Sequence, residues 1–298
     1  MIANSIDVSV IIVNYNTCDL TRKCIESIFK YTNGLSYEII LVDNASTDQS
    51  KSIFEKDNKI RYFYSNINLG FGKANNIGVE YSSGKYLFFL NSDAFLTSNA
   101  ILQFFNDCER NPQIGALGGQ LIWPDGSNQT SYFDFPSLKN IFLECLGLYR
   151  PKQSESQNNS NIILLSNQFV SGADLFMPKK IFLKLGGFYP GFFLYYEETD
   201  LQYHVFNSNS QIAFDSRIKI VHYNGGSQNT TKKFPLAKRR EIFAKKLRIF
   251  NDSRIIYFRR NVSGSLFILR CILSFGVLIR INRVLGYFKE LVKNVWKH

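Results

Sequence analysis

The side chains of this 298-residue sequence that invite a chemical reading are carboxylates placed at the ends of apolar runs. Asp93 closes Leu90-Asn91-Ser92-Asp93 directly after YLFFL. A carboxylate held at the tip of a buried strand can ligate a hard cation, and Asn91 can add an oxygen or a hydrogen bond. The plainer reading is a helix or turn cap. Asp43 lies in Val42-Asp43-Asn44-Ala45-Ser46-Thr47-Asp48 after EIILV, where turn and capping chemistry explains the residues as readily as ligand binding does. Glu197-Glu198-Thr199-Asp200 forms an acidic helix start. Adjacent carboxylates there raise each other's pKa, which suits a base working near neutral pH, while simple dipole stabilisation is the competing account. His222, one of three histidines, follows the apolar IKIV, and a lone histidine at a strand end is ordinarily a half-buried residue.

These groups need a scaffold that brings strand ends together. VSVIIV (Val8 to Val13), EIILV (Glu38 to Val42), IRYFY (Ile60 to Tyr64) and YLFFL (Tyr86 to Leu90) read as strands, with helical segments at 18–31, 47–57 and 72–82 between them. Runs apolar on both faces belong to buried parallel strands, so the alternation predicts an α/β fold with a mostly parallel central sheet flanked by helices. In such sheets ligands bind beyond the carboxyl ends of the strands. The first strand runs into Asn14-Tyr15-Asn16 and not into a glycine fingerprint, so a dinucleotide-binding reading fails at its defining position. Gly70-Phe71-Gly72-Lys73-Ala74-Asn75 is only a partial match, after the third strand. Further along, a helix led by Pro178, a glycine turn at Gly186 and Gly187, and strands near 211–222 complete the body, while SESQNNSN (Ser154 to Asn161) reads as a loop.

Charge divides the chain. Residues 1–230 carry 18 basic and 21 acidic side chains, net −3, and residues 231–298 carry 17 and 3, net +14. Five scattered cysteines, with no paired spacing, fit a reduced cytoplasmic protein. The first residues lack a basic leader region, and their apolar run is only strand length. The most apolar stretch, Val262 to Leu285, is interrupted by Arg270, Arg280 and Arg283, which leaves uncharged runs far below the ~20 residues of a spanning helix.

The succession VSVIIVNYN, ILVDNASTD, NLGFGKANNIG and LFFLNSD, in order at successive strand ends, resembles the family 2 glycosyltransferases, and within them the rhamnosyltransferase-like branch. Phe169-Val170-Ser171-Gly172-Ala173, Gly186-Gly187-Phe188, Phe193 to Leu201 and Val221 to Ser227 extend the resemblance, which covers residues 8–227. It implies a GT-A fold over residues 1–230 and inverting transfer of a sugar from a nucleoside diphosphate. Asp93 then matches the last carboxylate of the metal-binding signature, with Asn91 at its first position and His222 as a further metal or phosphate contact. The cofactor implied is a divalent cation, Mg²⁺ or Mn²⁺. Glu198 stands where the family places its base, a glutamate in place of the usual aspartate, with Glu197 and Asp200 as the other candidates. Asn14, Tyr15, Asn16, Asp43, Asn68, Gly70, Asn75, Asn91 and Ser92 fall where the family binds nucleotide. The donor implied is dTDP-L-rhamnose and the acceptor a polyprenyl-diphosphate-linked saccharide. A UDP-hexose donor and a non-catalytic nucleotide-sugar-binding membrane adaptor are the alternatives.

Residues 231–298 mix aromatic, aliphatic and basic residues with few acids. On one continuous helix Arg259, Arg270, Arg280 and Arg283 would share an arc of about 120°. Such a helix lies on an anionic membrane surface, which places the protein peripherally on the inner face of the cell membrane. Packing on the body and a nucleic-acid patch are the rival readings. With no base-reading module visible, no nucleic-acid partner is expected.

Overall fold

Residues 5–149, 161–224 and 236–279 are described by the computed structural model. The SESQNNSN segment, the Gly225-Gly226-Ser227 motif, Arg280 and Arg283 lie outside the described residues. The apolar runs of the first ninety residues form β1 (Val8–Asn14), β2 (Tyr37–Asn44), β3 (Arg61–Ser65) and β4 (Tyr86–Leu90). Between them stand α1 (Cys18–Tyr31), α2 (Ser50–Phe54) and α3 (Phe71–Glu80). Helix α1 buries Cys18, Thr21, Cys24, Ile25 and Ile28, the one-sided spacing of an amphipathic helix. Helix α2 is shorter than the 47–57 segment read from sequence because Asp48 works as a turn. Its Oδ1 accepts from the Ser50 N–H at 3.0 Å and its Oδ2 from the Cys18 N–H at 3.0 Å, so the helix starts after it.

Past β4 come β5 (Ala94–Leu96), α4 (Ala100–Arg110), β6 (Ile114–Ile122), β7 (Tyr132–Asp134), α5 (Leu138–Leu146), β8 (Ile162–Leu165) and β9 (Gln168–Val170). The remainder is β10 (Asp174–Pro178), α6 (Lys179–Lys184), α7 (Glu197–Phe206), β11 (Gln211–His222), α8 (Leu236–Asn261) and α9 (Leu266–Ile279). The main sheet has the order β3-β2-β1-β4-β10-β6-β11-β5, with β8 also on β11. Strands β1, β2, β3, β4, β6 and β11 share one direction, and β10, β5 and β8 oppose it, so the sheet is mostly parallel as expected.

Successive residues of a strand face opposite sides, and β4 shows the consequence. Phe88 packs with Phe104 and Phe176 under α1 and α4, whereas Phe89 packs with Phe182 and Phe188 on the other face. A third apolar cluster joins α5, α8 and α9 around Tyr257 and Phe258.

The continuous tail helix of the sequence reading is not present. Gly264, at φ +73°, breaks the chain between α8 and α9, a backbone angle that L side chains rarely adopt. Arg259 and Arg270 therefore belong to different helices.

Candidate active site

The carboxyl ends of β1, β2 and β4 and the paired ends of β5 and β11 meet along one rim. In the β5–β11 pair Ala94 lies opposite His222, and the Tyr223 N–H donates to the Asp93 carbonyl at 3.0 Å. That pairing brings together Asp93 and His222, far apart in sequence, with Oδ1 and Nε2 3.4 Å apart. The Asn91 amide lies 3.5 Å from the same ring nitrogen.

Gln129 orients this imidazole. Its amide nitrogen donates to the His222 carbonyl at 2.5 Å, which leaves its Oε1 facing Nδ1 at 3.3 Å. An oxygen there accepts, so it favours a proton on Nδ1, and in the neutral form of the ring Nε2 presents a lone pair toward Asp93. Two acceptors facing each other at this distance suit a cation between them. Neighbouring ligands of an octahedral Mg²⁺ stand about 3 Å apart, so the pair fits two positions of one coordination sphere. No cluster of three or more His, Cys, Asp or Glu side chains able to hold a metal occurs among the described residues.

Asp93 and His222 border a cleft of about 290 Å³ with Tyr15, Thr17, Asn44, Asn68, Gly70, Asn91 and Ser92. Asn44 shapes the loop beneath it. Its amide donates to Asn68 Oδ1 at 3.0 Å and to the Gly70 carbonyl at 3.2 Å, and its oxygen accepts from the Leu69 N–H at 2.8 Å. Gly70, at φ +86°, is required: a Cβ there would lie 2.2 Å from the Phe193 carbonyl oxygen.

Four residues that the sequence reading assigned to nucleotide binding are absent from the cleft lining. Asn14 is fully buried, its oxygen accepting from the Thr17 and Thr21 hydroxyls at 2.7 and 2.9 Å. Asn16 Oδ1 accepts from the Thr47 N–H at 2.7 Å. Asp43, also fully buried, accepts from the Ser46 N–H at 2.9 Å and the Tyr62 hydroxyl at 2.8 Å. Asn75 turns back to donate to the Phe71 carbonyl at 3.1 Å. A polar side chain at a strand or helix end is consumed by the turn it stabilises, which the motif by itself does not reveal.

A second cleft, about 330 Å³, adjoins the first and is bordered by Gln129, Thr130, Phe133, Ser171, Gly172, Glu197 and Glu198. Both glutamates open α7, whose preceding residues Tyr195 and Tyr196 are held at φ +71° and +72°. Glu198 rests over Gly172, where a Cβ would come within 3.1 Å of its Cγ. Burial raises the pKa of Glu198. Burial and the neighbouring Glu198 charge raise that of Glu197 well above the ordinary range. Glu197 is only 2% exposed, and its Oε2 has no hydrogen-bond partner. Burial thus favours the protonated form of both carboxyls. Asp200 is a correction to the catalytic set. It is buried away from the cleft, accepting from Arg260 Nε at 3.1 Å and Asn261 Nδ2 at 2.7 Å on α8. Gln129 was missed because a polar Ser-Asn-Gln-Thr-Ser run carries no sequence signal of proximity to His222.

The Glycosyl transferase family 2 sequence model matches residues 9–182. The glycosyltransferase GlyG of Streptococcus pneumoniae serotype 4 is 30% identical over 130 residues, 42% of this chain and 42% of that protein. A poly(ribitol-phosphate) beta-glucosyltransferase of Bacillus spizizenii is 32% identical over 120 residues, 37% of this chain and 18% of its own length. An uncharacterized glycosyltransferase of Rickettsia prowazekii is 29% identical over 229 residues, 75% of this chain and 65% of its own. The chain thus spans less than two thirds of each of these relatives. The crystal structure of S. aureus TarS 1-349 is similar with a TM-score of 0.52 at 13% identity, covering 98% of this chain and 89% of that one. This likeness in fold agrees with the GT-A architecture expected from the sequence.

Proposed function

Given that the chain belongs to glycosyl transferase family 2, we propose that it transfers a sugar, with inversion at the anomeric carbon, from a nucleoside diphosphate to a saccharide hydroxyl. The observation that carries this reading is a shared wall. The Asp93 cleft and the Glu198 cleft have Phe71, Asn91, Leu194, Tyr195, His222 and Asn224 in common. A donor in the first cleft and an acceptor in the second would meet across that wall. Glu198 takes the proton of the acceptor hydroxyl as its oxygen bonds to the anomeric carbon. The bond from that carbon to the diphosphate breaks, and its electron pair leaves on the phosphate oxygen. Among the described residues neither cleft is lined by Lys or Arg. A divalent ion, which Asp93 and His222 are placed to hold, would neutralise charge on the leaving group.

In its finer form the reading takes dTDP-L-rhamnose as donor and a polyprenyl-diphosphate-linked saccharide as acceptor, on the support of the ordered motifs. A UDP-hexose is the second donor reading, favoured by the similarity to a protein named a beta-glucosyltransferase. The +14 charge of residues 231–298 supports attachment to the anionic cytoplasmic face of a membrane. No helix among the described residues is long and apolar enough to cross one.

A panel of UDP-, dTDP- and GDP-sugars, scored for metal-dependent donor hydrolysis and for protection against thermal unfolding, tests the reading and separates the donors. Asp93→Ala should stay folded and lose transfer, because a strand-tip carboxylate adds little to the core. Full activity of that variant in Mg²⁺ or Mn²⁺ would remove Asp93 from the mechanism.

A further inference from the structure

Helix α8 belongs to the basic C-terminal region, yet its second half packs on residues 194–196, of which Leu194 and Tyr195 border both clefts. Arg254, on α8, is 7% exposed. Its Nε donates to the Tyr196 hydroxyl at 2.8 Å, its terminal nitrogen pairs with Glu144 of α5, and its guanidinium stacks 4.5 Å from the Phe250 ring centre. The preceding Ser253 hydroxyl donates to the Leu194 carbonyl at 2.8 Å. Phe250 packs edge-on against both Tyr195 and Tyr196, at 5.3 and 5.4 Å between ring centres. On the opposite side, the Phe193 carbonyl accepts from the Phe71 N–H at 2.9 Å. Residues 193–196 are therefore clamped between α3 and α8, and within that clamp Tyr195 and Tyr196 hold left-handed backbone angles that cost free energy for any residue but glycine. Such a conformation persists only where its surroundings over-determine it. The residues that follow at once are Glu197 and Glu198.

We propose that Arg254 is a positioning residue for the transfer: by holding the Tyr196 hydroxyl it fixes the turn from which Glu198 enters the acceptor-side cleft. The proposal rests on the reading of Glu198 as base. It gives the C-terminal region a role in catalysis distinct from membrane attachment. A buried guanidinium shared by Tyr196, Glu144 and Phe250 ties α5, α8 and the turn before α7 at one point, so loosening it displaces the turn that carries the Glu198 carboxylate.

The experiment uses the full chain with Arg254→Gln, Arg254→Lys and Tyr196→Phe. It reads kcat and KM for donor and acceptor, binding of UDP and dTDP with Mg²⁺, and amide hydrogen exchange over residues 194–199. Arg254→Gln should lower kcat by about 10²-fold and leave nucleotide binding within about threefold, since a base displaced by an ångström loses rate and not donor affinity. Arg254→Lys, which keeps the charge and a donor for Tyr196, should recover about tenfold of that loss. Tyr196→Phe should lower kcat and quicken exchange at 194–199, and it decides the matter alone where Arg254→Gln does not fold. Wild-type kcat in a folded Arg254→Gln or in Tyr196→Phe overturns the proposal, as do equal losses of kcat and nucleotide binding in the Gln and Lys variants, the mark of a scaffold role. Absence of transfer by the wild-type chain with every donor overturns the activity reading instead. Exchange then judges Arg254: faster exchange at 194–199 in the variants supports it, and unchanged exchange overturns it.

Discussion

A carboxylate acting as base must be ionised when it takes the proton, and burial raises the pKa of both members of the Glu197–Glu198 pair. Glu198 has to lose its proton to work, and burial raises its pKa above the ordinary 4.5. Turnover should therefore rise with pH through a limb that lies above that value, with the active form on the alkaline side. Glu198→Gln keeps size and hydrogen bonding but accepts no proton, so turnover should fall by ~10² or more while donor binding changes little. Steady-state rates with nucleotide titration check this. Normal turnover in Glu198→Gln together with a dead Glu197→Gln would move the role to Glu197. At this scale the sequence pointed to Asp93, Glu198 and His222, which border the two clefts, because residues at the ends of apolar runs are announced by the runs. It carried no signal of Gln129, whose place depends on β11 passing beside it, nor of the hydrogen bonds that Asp43 makes with Ser46 and Tyr62 and Asn75 with Phe71.

At the scale of elements, β10 is the strand that opposes its neighbours on both sides, and it carries Asp174, which is fully buried. One oxygen accepts from the Gly119 N–H at 2.8 Å and the other has no hydrogen-bond partner, while burial pushes the pKa up to about 8. The sign follows from proton counting. Between the ordinary value of 3.8 and about 8 the folded chain holds a proton that the unfolded chain has released, so raising the pH favours unfolding. This contribution is full below 3.8 and is lost as the pH rises through about 8, at roughly 1 kcal/mol per pH unit. Asp174→Asn retains an acceptor for Gly119 and removes the titration. Melting curves from pH 5 to 8 should show the wild type losing stability relative to the Asn variant, and parallel curves would reject the buried-acid account. The strands and helices of the first ninety residues were legible because period and apolarity are local. The break at Gly264 was not read, since a single glycine in an apolar helical run is compatible with either continuation or a stop.

For the whole molecule, the question is what α9 and the basic end do. Helix α9 buries Leu269 and Leu273 and exposes Phe267, Ile268, Cys271 and Phe275, with Phe267 68% exposed. Removing residues 280–298 deletes five basic and one acidic side chain, net +4. Each basic group near an anionic surface contributes about 1 kcal/mol. Co-sedimentation with anionic liposomes should therefore weaken for a chain ending at Ile279 and for Phe267→Glu with Ile268→Glu. Binding by the full chain should weaken with salt and persist in part through the apolar face. Equal sedimentation of all three proteins, or no preference for anionic lipid, would reject attachment through this region. A shorter chain ending near residue 230 is a poor test, because α8 supplies Ser253, Arg254, Arg260 and Asn261 to the body.

The sequence by itself determined the layered α/β class, the strand ends that border the clefts and the family, because buried parallel strands must be apolar and their tips must be polar whatever lies beside them. Tertiary structure alone decided which polar tips face a cleft and which are turned inward, that Gln129 packs against His222, and that Asp200 bonds to α8 while Glu198 borders the cleft. These outcomes depend on strand order and helix packing, which join residues such as Asp93 and His222, or Tyr196 and Arg254, across distances in the chain where no local pattern records the pairing.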